Sequence, residues 1–327
     1  MHKVTTITPV FNRERFLNYC IDSLLNQTLD DVQIILVDDC STDSSRDILM
    51  YYASLYPNVS VIFNAKNHGQ GYTRNKALEQ ADGEYIRFVD SDDFIGPNSL
   101  KTMYDSAKEY SADMVLGRYN VAYFSKMKEQ KPKNLVKPFT IDPKQYGLRR
   151  IPLFIADKLI ARDSFDSVKF PEDIRFEDLA LMPFIIAKSS SILQIDDPVY
   201  YYRRHLGSES IKACFQPFDS TEIFACLNWL KENFHKEGIY EQYKDELDII
   251  SITHILARVK EVVTWIAPND EKRKLLNELL ASLDINYPDW YNIFIASGNS
   301  KKKLKLDLLM NAASMICGHN IGKSIQK

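Results

Sequence analysis

The chain of 327 residues contains no apolar run that approaches the ~20 residues needed for a membrane-spanning helix. It also lacks the apolar core of a signal peptide, because the N-terminus leads directly into a predicted strand. We therefore expect a cytoplasmic protein. The formal net charge is −3, with 41 Lys and Arg against 44 Asp and Glu. This balance offers no basic excess for a nucleic-acid partner.

Cysteine is scarce as well. The five cysteines are widely spread, and no two of them form a CxxC pair. Neither a disulfide framework nor a zinc site is therefore indicated. The chain also lacks a GxGxxG sequence after its first predicted strand. This absence argues against a dehydrogenase, because that glycine pattern forms the usual dinucleotide-binding turn.

The chain does contain a cluster of carboxylates directly after a predicted buried strand. Residues 83–89 are apolar and rich in β-branched and aromatic side chains, and Asp90, Asp92 and Asp93 follow. Carboxylates this close repel one another unless a cation or hydrogen-bond donors neutralise them. At the carboxyl edge of an α/β sheet they would reach the usual ligand crevice, where Mg²⁺ or Mn²⁺ could bridge them to phosphates. The alternative is a solvated acidic turn.

The first part of the chain alternates between strand and helix patterns. Strands are predicted over residues 3–8, 33–37 and 59–63 in addition to 83–89. Helical segments lie between them, so we expect a parallel sheet with crossover helices. Pro9 is expected to end the first strand. The second strand ends in Asp38 and Asp39, which places two acidic pairs at one edge of the sheet.

Five motifs in this region resemble those of the inverting GT-A glycosyltransferases of family 2. They occupy residues 8–12, 25–28, 37–43, 71–78 and 90–93, in family-like order and spacing. The resemblance is close over residues 1–118 and resumes over residues 156–208. It implies an α/β fold of the GT-A, Rossmann-like type, in which helices flank a mixed, mostly parallel sheet.

The resemblance also implies a site for a nucleotide base. Asp39 matches the aspartate that binds uracil in family members that use UDP-sugars. Pro9 and Phe11 match the loop that packs against the base and ribose, and Arg74 matches a basic residue near the nucleotide. Two alternatives remain at this point: Asp38 and Asp39 could cap the next helix, and Arg74 could be a surface residue of its helix.

The DXD motif of the family matches Asp90, Ser91 and Asp92. By resemblance these residues approach the ribose and the metal-bridged diphosphate, with Asp92 as the more direct ligand. His205 is a further candidate for the shell of a Mn²⁺ or Mg²⁺ ion. Arg204 matches a segment that closes over the diphosphate, although a basic pair is also typical of a solvated surface.

Asp178 matches the general base that takes a proton from the acceptor hydroxyl. Such a base must face the sugar from the side opposite the leaving diphosphate, which gives displacement with inversion. Asp178 and Glu177 also precede an apolar helical pattern, so they could stabilise a helix N-terminus. The two roles are compatible.

The remainder of the chain carries no family motif. Residues 119–150 are expected to form a basic, loosely packed connector, and the C-terminal third is predicted to be helical. The last helix, with Leu304, Leu308, Leu309, Ala312, Ala313 and Ile316 on one face, follows three lysines and could contact an anionic membrane surface. A packing helix or an oligomer contact is the alternative. We expect a catalytic domain over residues 1–215 and a helical region over residues 216–327.

The predicted function is inverting, metal-dependent transfer of a hexosyl or N-acetylhexosaminyl group from a UDP-sugar to a glycan or lipid-linked glycan. The pathway would be cell-surface polysaccharide biosynthesis, in the cytoplasm or at the inner face of the membrane. Two alternatives stay open: a polyprenyl phosphate as acceptor, and a non-catalytic nucleotide-sugar-binding subunit on the same fold.

Overall fold

The computed structural model describes residues 1–122, 127–128, 138–172, 174–205, 208, 220–265, 268–298 and 300–318. The chain divides into two compact units, Met1–His205 and Leu206–Lys327. The domain boundary expected at residue 215 lies outside the described residues.

The first unit begins with the predicted parallel sheet. Its strands β1 to β4 lie in the order β3-β2-β1-β4, all parallel, with the bounds Val4–Val10, Val32–Asp38, Val59–Phe63 and Tyr85–Phe88. The connecting helices α1 to α3 span Glu14–Leu25, Ser45–Leu55 and Gln70–Leu78. Helix α1 buries Leu17, Cys20, Ile21 and Leu24 on the face that the sequence pattern predicts. Strand, helix and strand alternate as expected for right-handed crossover units.

The sheet continues as a mixed sheet after helix α4 (Ser99–Tyr110). The further elements are β5 (Met114–Ala122), β6 (Met127–Lys128), β7 (Phe139–Ile141), α5 (Pro143–Tyr146), β8 (Lys158–Ala161), α6 (Glu177–Lys188) and β9 (Ile192–Arg203). Within the described residues the strand order is β4-β8-β5-β9-β7, and β6 pairs with β5. Strand β8 is antiparallel to both β4 and β5, and β9 is parallel to β5. The carboxyl ends of β1 to β5 and of β9 therefore meet at one edge.

The prediction that Pro9 ends the first strand is wrong, because β1 continues to Val10 and Pro9 lies opposite Val37. Strand β4 pairs only with residues 4–7 of β1, so the ladder on that side ends before Pro9. The carbonyl of Val10 accepts from the backbone N–H of Asp39 on the β2 side. Neighbouring residues of a strand direct their backbone groups to opposite sides, so Pro9 faces the unpaired side and its missing N–H breaks no ladder bond.

The segment expected to be a loosely packed connector is partly regular. Residues 119–122 belong to β5, and β7 pairs with β9 in the sheet. Helix α5 follows, with Pro143 at its first turn and the Asp142 side chain accepting from the Lys144 N–H. The rest of the connector, residues 123–126 and 129–137, lies outside the described residues.

The second unit is helical over its described residues, as predicted, with helices Ser220–Lys236, Tyr240–Thr264, Asn269–Asn286, Trp290–Ala296 and Ser300–Cys317. None of the described helices is long and apolar enough to cross a membrane. The apolar face read from the sequence of the last helix is not, as a whole, the face that this helix buries. That helix buries Leu306, Met310, Ala313 and Cys317 and packs on Asn269–Asn286 and Tyr240–Thr264, whereas Leu304 and Leu308 are 62% and 61% exposed. The buried face is rotated because the neighbouring helices, and not the sequence pattern alone, select it.

Candidate active site

The acidic loop after β4 is a structured element at the carboxyl edge of the sheet. Asp93 is buried, and its carboxylate accepts from the Tyr200 hydroxyl at 2.6 Å and from the Arg203 backbone N–H at 2.7 Å. The Tyr200 hydroxyl in turn accepts from the Asp90 backbone N–H at 3.1 Å. Strand β9 therefore anchors the loop through Tyr200 and Arg203. The alternative of a solvated acidic turn is wrong. Burial raises the pKa of Asp93 well above its ordinary value.

Arg74 occupies the centre of the site. Its side chain is only 2% exposed, so the alternative of a surface helix residue is wrong. Nη1 lies 2.5 Å from Glu177 Oε1 and 3.1 Å from Asp178 Oδ1, while Nη2 lies 3.3 Å from Asp90 Oδ1. Arg74 Nη2 also donates to Gln70 Oε1 at 2.9 Å. One buried guanidinium thus joins the acidic loop of β4 to the start of α6, although 87 positions separate Asp90 from Glu177 in the chain.

Asp178 lies in the first turn of α6, directly after Glu177. Its Oδ2 accepts from the backbone N–H of Ile155 at 3.2 Å, and its Oδ1 faces Arg74. Because the side chain is held from two sides but remains 25% exposed, a ligand at the sheet edge can reach it. Asp178 therefore lies at a helix start, as one of the two expectations for this residue states, and its role as the general base stays a prediction.

The carboxyl groups around Arg74 have raised pKa values. Burial raises the pKa of Asp178 to about 7; Arg74 opposes this shift, and the charges of Glu177 and Asp90 add to it. Burial likewise raises the pKa of Asp90 to about 6, again against Arg74 and assisted by the charge of Asp92. A carboxylate with a pKa near neutral pH is suited to accept a proton and later release it.

Asp92 has different surroundings. Its Oδ2 lies 2.9 Å from His205 Nε2 and 3.5 Å from Arg13 Nε. Burial alone would raise the pKa of Asp92, but the hydrogen bond with His205 and the charge of Arg13 lower it below the ordinary value. Asp92 therefore stays ionised under conditions in which Asp90 takes up a proton. The two carboxylates of the DXD motif consequently face different partners.

The predicted metal ligands are only partly assembled. Within the described part of the chain, no three His, Cys, Asp or Glu side chains form a group that could hold a metal ion. The Asp90 carboxylate faces Arg74, whereas Asp92 and His205 lie side by side. The ionised Asp92 oxygen suits Mn²⁺ or Mg²⁺, which take further oxygen ligands from phosphate and water, and the imidazole of His205 is the less typical ligand for these ions. The residues present thus fit a divalent ion with two side-chain ligands.

The two arginines after β9 have separate environments. The guanidinium of Arg203 lies over the rings of Phe16, Tyr19 and Phe94 at 5.3, 4.9 and 5.3 Å, and its Nε donates to the Asp92 carbonyl at 2.9 Å. Arg203 therefore holds the backbone of the acidic loop. The side chain of Arg204 is exposed at the same sheet edge, where it can meet an anionic ligand.

The predicted base-binding residues lie at the ends of β1 and β2. The Asp39 carboxylate accepts from the backbone N–H groups of His68 and Gly69 and from the Asn64 amide, at 2.8 to 3.1 Å. Gly69 has a φ of +84°, a conformation that favours glycine. Asp38 is buried and accepts from the Ser41 N–H. The helix-cap alternative for both aspartates is therefore wrong. Asp39 organises residues 64–69 beside the carboxyl ends of β1 and β2.

Pro9 is buried near the end of β1, and Phe11, which directly follows β1, is 41% exposed. Ser91 is buried between the two aspartates of the acidic loop. The sequence interpretation gave no role to Arg13, Asn75 or Tyr200, and it treated Asp93 only as one of the clustered carboxylates. Asn75 and Asp93 lie inside the quoted motifs, so their position was a usable signal, whereas their partners are distant in sequence.

Comparison with known proteins identifies the family. Residues 5–167 match the family model described as glycosyl transferase family 2. The putative glycosyltransferase EpsH of Bacillus subtilis is 30% identical over 265 residues, which cover 77% of this chain and 74% of that protein. The chain belongs to glycosyl transferase family 2. The resemblance inferred from the five motifs is thereby confirmed.

Further relatives agree with the family assignment. The poly(ribitol-phosphate) beta-glucosyltransferase of Bacillus spizizenii is 49% identical over 119 residues, which cover 36% of this chain but only 19% of that protein. Among solved structures, residues 1–349 of S. aureus TarS in complex with UDP-GlcNAc match with a TM-score of 0.58 and 20% identity, covering 99% of this chain and 90% of that chain. At this identity the likeness shows the fold alone, and it confirms the predicted GT-A architecture of this family 2 chain.

Proposed function

We propose that this family 2 enzyme transfers a hexosyl or N-acetylhexosaminyl group from a UDP-sugar to a hydroxyl of a glycan, with inversion, in cell-surface polysaccharide biosynthesis. The observation that carries the proposal is the partly exposed Asp178 carboxylate, which Arg74 joins to the acidic loop of the donor site. A relative named poly(ribitol-phosphate) beta-glucosyltransferase and the UDP-GlcNAc complex of TarS support the choice of donor and acceptor.

Asp178 acts as the general base in this proposal. It accepts the proton of the acceptor hydroxyl while that oxygen bonds to the anomeric carbon and the bond from this carbon to the diphosphate oxygen breaks. The acceptor approaches from the side of Asp178, opposite the diphosphate, so the configuration inverts. Its pKa of about 7 allows Asp178 to be ionised before the reaction and to hold the proton afterwards.

The donor lies along the carboxyl edge of β1, β2 and β4. Pro9 and Phe11 pack against the base and ribose, and Asp39, through the loop that it holds, borders the uracil edge. Asp90 and Ser91 lie nearest the ribose. These positions supply orientation, which brings the anomeric carbon to the acceptor oxygen.

Asp92 and His205 would hold a Mn²⁺ or Mg²⁺ ion, whereas Asp90 faces Arg74. When bound, such an ion supplies Lewis-acid stabilisation of the charge that develops on the leaving diphosphate. Arg204, exposed at the same edge, adds a positive charge to the diphosphate side. Arg203 keeps the Asp92 backbone in place through its hydrogen bond to the carbonyl.

The first unit and the adjoining residues up to 215 would form the catalytic domain, and residues 216–327 the helical region. The exposed side chains of Leu304, Leu308 and Met315, next to the exposed Lys303 and Lys305, support a peripheral contact of the last helix with an anionic membrane surface. This contact would keep a cytoplasmic enzyme near a lipid-linked acceptor.

The membrane contact has a direct test. Replacing both Leu304 and Leu308 by Ser should lower co-sedimentation with phosphatidylglycerol vesicles, because the exposed apolar area is removed while the buried face is unchanged. Leu55→Ser, which alters an exposed leucine of α2, is the matched control. Equal vesicle binding by wild type and the double variant would contradict the contact.

The donor site is tested by calorimetric titration of UDP, GDP and CDP, with and without Mn²⁺. Wild type should prefer UDP and require the ion, and Asp92→Ala should bind much more weakly. Absence of nucleotide binding by the folded protein would contradict the donor site.

The base is tested separately with Asp178→Asn. This variant should bind UDP like wild type but lose sugar transfer by at least about 10²-fold, the usual contribution of a positioned general base. Asp105→Asn, at an exposed position of α4, is the control for an unspecific effect of the substitution. Normal turnover by Asp178→Asn would place the base elsewhere.

A further inference from the structure

Helix α3 lies unusually close to the segment that precedes the catalytic helix α6. A Cβ atom added to Gly71 would lie 2.0 Å from the Pro171 carbonyl oxygen and 3.5 Å from the Phe170 Cβ. No side chain fits between these two backbones, so only glycine allows the contact. The approach places the next turn of α3 directly against Phe170.

Asn75 uses that approach to pair with the backbone of Phe170. Its Nδ2 donates to the Phe170 carbonyl at 3.0 Å, and its Oδ1 accepts from the Phe170 N–H at 2.9 Å. Nδ2 also donates to Glu172 Oε1 at 3.1 Å. The side chain is 4% exposed, and both backbone groups of one residue are satisfied by one amide. The Asn75 amide therefore pairs with Phe170 as a neighbouring strand would, through one donated and one accepted hydrogen bond.

A residue with a strained backbone lies next to the base. Phe176, which directly precedes Glu177 and Asp178, has a φ of +66°, a left-handed conformation that is an outlier for a bulky side chain. Such a conformation persists only where the surrounding structure holds it on both sides. On the helix side, the Ala180 N–H bonds to the Phe176 carbonyl. On the N-terminal side, Phe170 pairs with Asn75.

We propose that Asn75 is a positioning residue for the catalytic base, and that it acts by fixing Phe170 and Glu172, ahead of the strained Phe176, so that α6 starts with Asp178 facing the acceptor. The proposal rests on the proposed role of Asp178. Helix α3 then serves the base twice, because Arg74 contacts the Asp178 carboxylate and Asn75 fixes the chain that carries it. Arg74 and Asn75 thus both act on the group that deprotonates the acceptor hydroxyl.

The test is a double-mutant cycle of Asn75→Ala with Asp178→Asn. In the wild-type background Asn75→Ala should lower kcat about 10- to 100-fold, the scale expected when a catalytic group is misplaced by about 1 Å. The Kd for UDP should stay within about twofold, because the change acts on kcat and not on the ground-state binding of the donor. In the Asp178→Asn background the same substitution should change kcat by less than about twofold, since effects that act through one group are not additive.

Asn58→Ala is the matched control, because it removes an amide that donates to a backbone carbonyl, that of Val32, at the opposite edge of the sheet. It should leave kcat unchanged. Asn75→Asp, which keeps the acceptor for the Phe170 N–H but loses the donor, should give an intermediate kcat and provides a second measurement if the alanine variant does not fold. Equal losses of kcat in both backgrounds, or an unchanged kcat in a folded Asn75 variant, would overturn the proposal.

Failure of the underlying function gives a different result. If Asp178→Asn alone turns over normally, Asp178 is not the base, whatever Asn75 does. If Asp178→Asn is inactive, UDP binds, and Asn75→Ala is still fully active, the base assignment survives and the positioning role of Asn75 falls.

Discussion

Replacing Arg74 by Gln removes a buried cation that Asp90, Glu177 and Asp178 share. Removing one partner of a buried ion pair costs about 3–5 kcal/mol, because the remaining charge stays buried without compensation. Asp90 and Asp178 keep 26% and 25% of their side-chain surface exposed, so water can relieve part of the repulsion. We therefore expect Arg74→Gln to lower the opening free energy of this region by about 3 kcal/mol at pH 8, near the lower end of that range.

The loss should depend on pH. Burial raises the pKa of Asp178 to about 7 and that of Asp90 to about 6 even though Arg74 lowers both, so without Arg74 both values rise further. A carboxyl group with a folded pKa above its unfolded value of about 3.9 binds more protons when folded. Its stabilising contribution is complete at low pH and is lost as the pH rises through the folded pKa. The penalty of Arg74→Gln should therefore shrink between pH 8 and pH 5.

The assay is native-state hydrogen exchange of peptides from α3 and α6, because a chain of two units need not unfold in a single transition. Wild type and Arg74→Gln are compared at pH 8 and pH 5 after correction for intrinsic exchange. Arg162→Gln, which breaks a more exposed pair with Asp166, should change the opening free energy by less than about 0.5 kcal/mol. A loss below about 1 kcal/mol at pH 8, or an equal loss at both pH values, would refute the role of Arg74 as the shared counter-ion.

Three further predictions concern neighbouring groups. For wild type, kcat/KM should rise with pH up to a break near the Asp178 pKa of about 7, because only the ionised base accepts a proton; a break near pH 4 would contradict this value. Arg204→Ala should weaken UDP binding in calorimetry and leave the melting temperature unchanged, whereas Arg203→Ala should lower stability because the acidic loop loses its anchor; the reverse pattern would exchange their roles. Tyr200→Phe should lower the free energy of unfolding by about 1–3 kcal/mol, since the buried Asp93 carboxylate loses a donor. Urea unfolding measures this value, and an unchanged free energy of unfolding would contradict the role of Tyr200 as an anchor of the acidic loop.

Much of the architecture was predictable because it rests on local patterns. Alternating strand and helix periodicities identified the parallel half of the sheet, and the apolar spacing of α1 selected its buried face. Pro9 shows the limit of local rules, since the residue is tolerated only because β4 stops pairing before it. The last helix shows the same limit, because Leu304 and Leu308 fit an apolar pattern that its neighbours do not bury.

The site likewise combines features that local sequence patterns predict with contacts that only long-range packing creates. The strand pattern of the chain establishes which carboxylates follow which strands, and hence that Asp39, Asp90 and Asp92 meet at one edge, since the carboxyl ends of parallel strands coincide. Which cation each carboxylate meets depends on the folded chain. Arg74 reaches Asp178 across 104 positions of the chain, and spacing in the sequence carries no information about a contact that long-range packing creates.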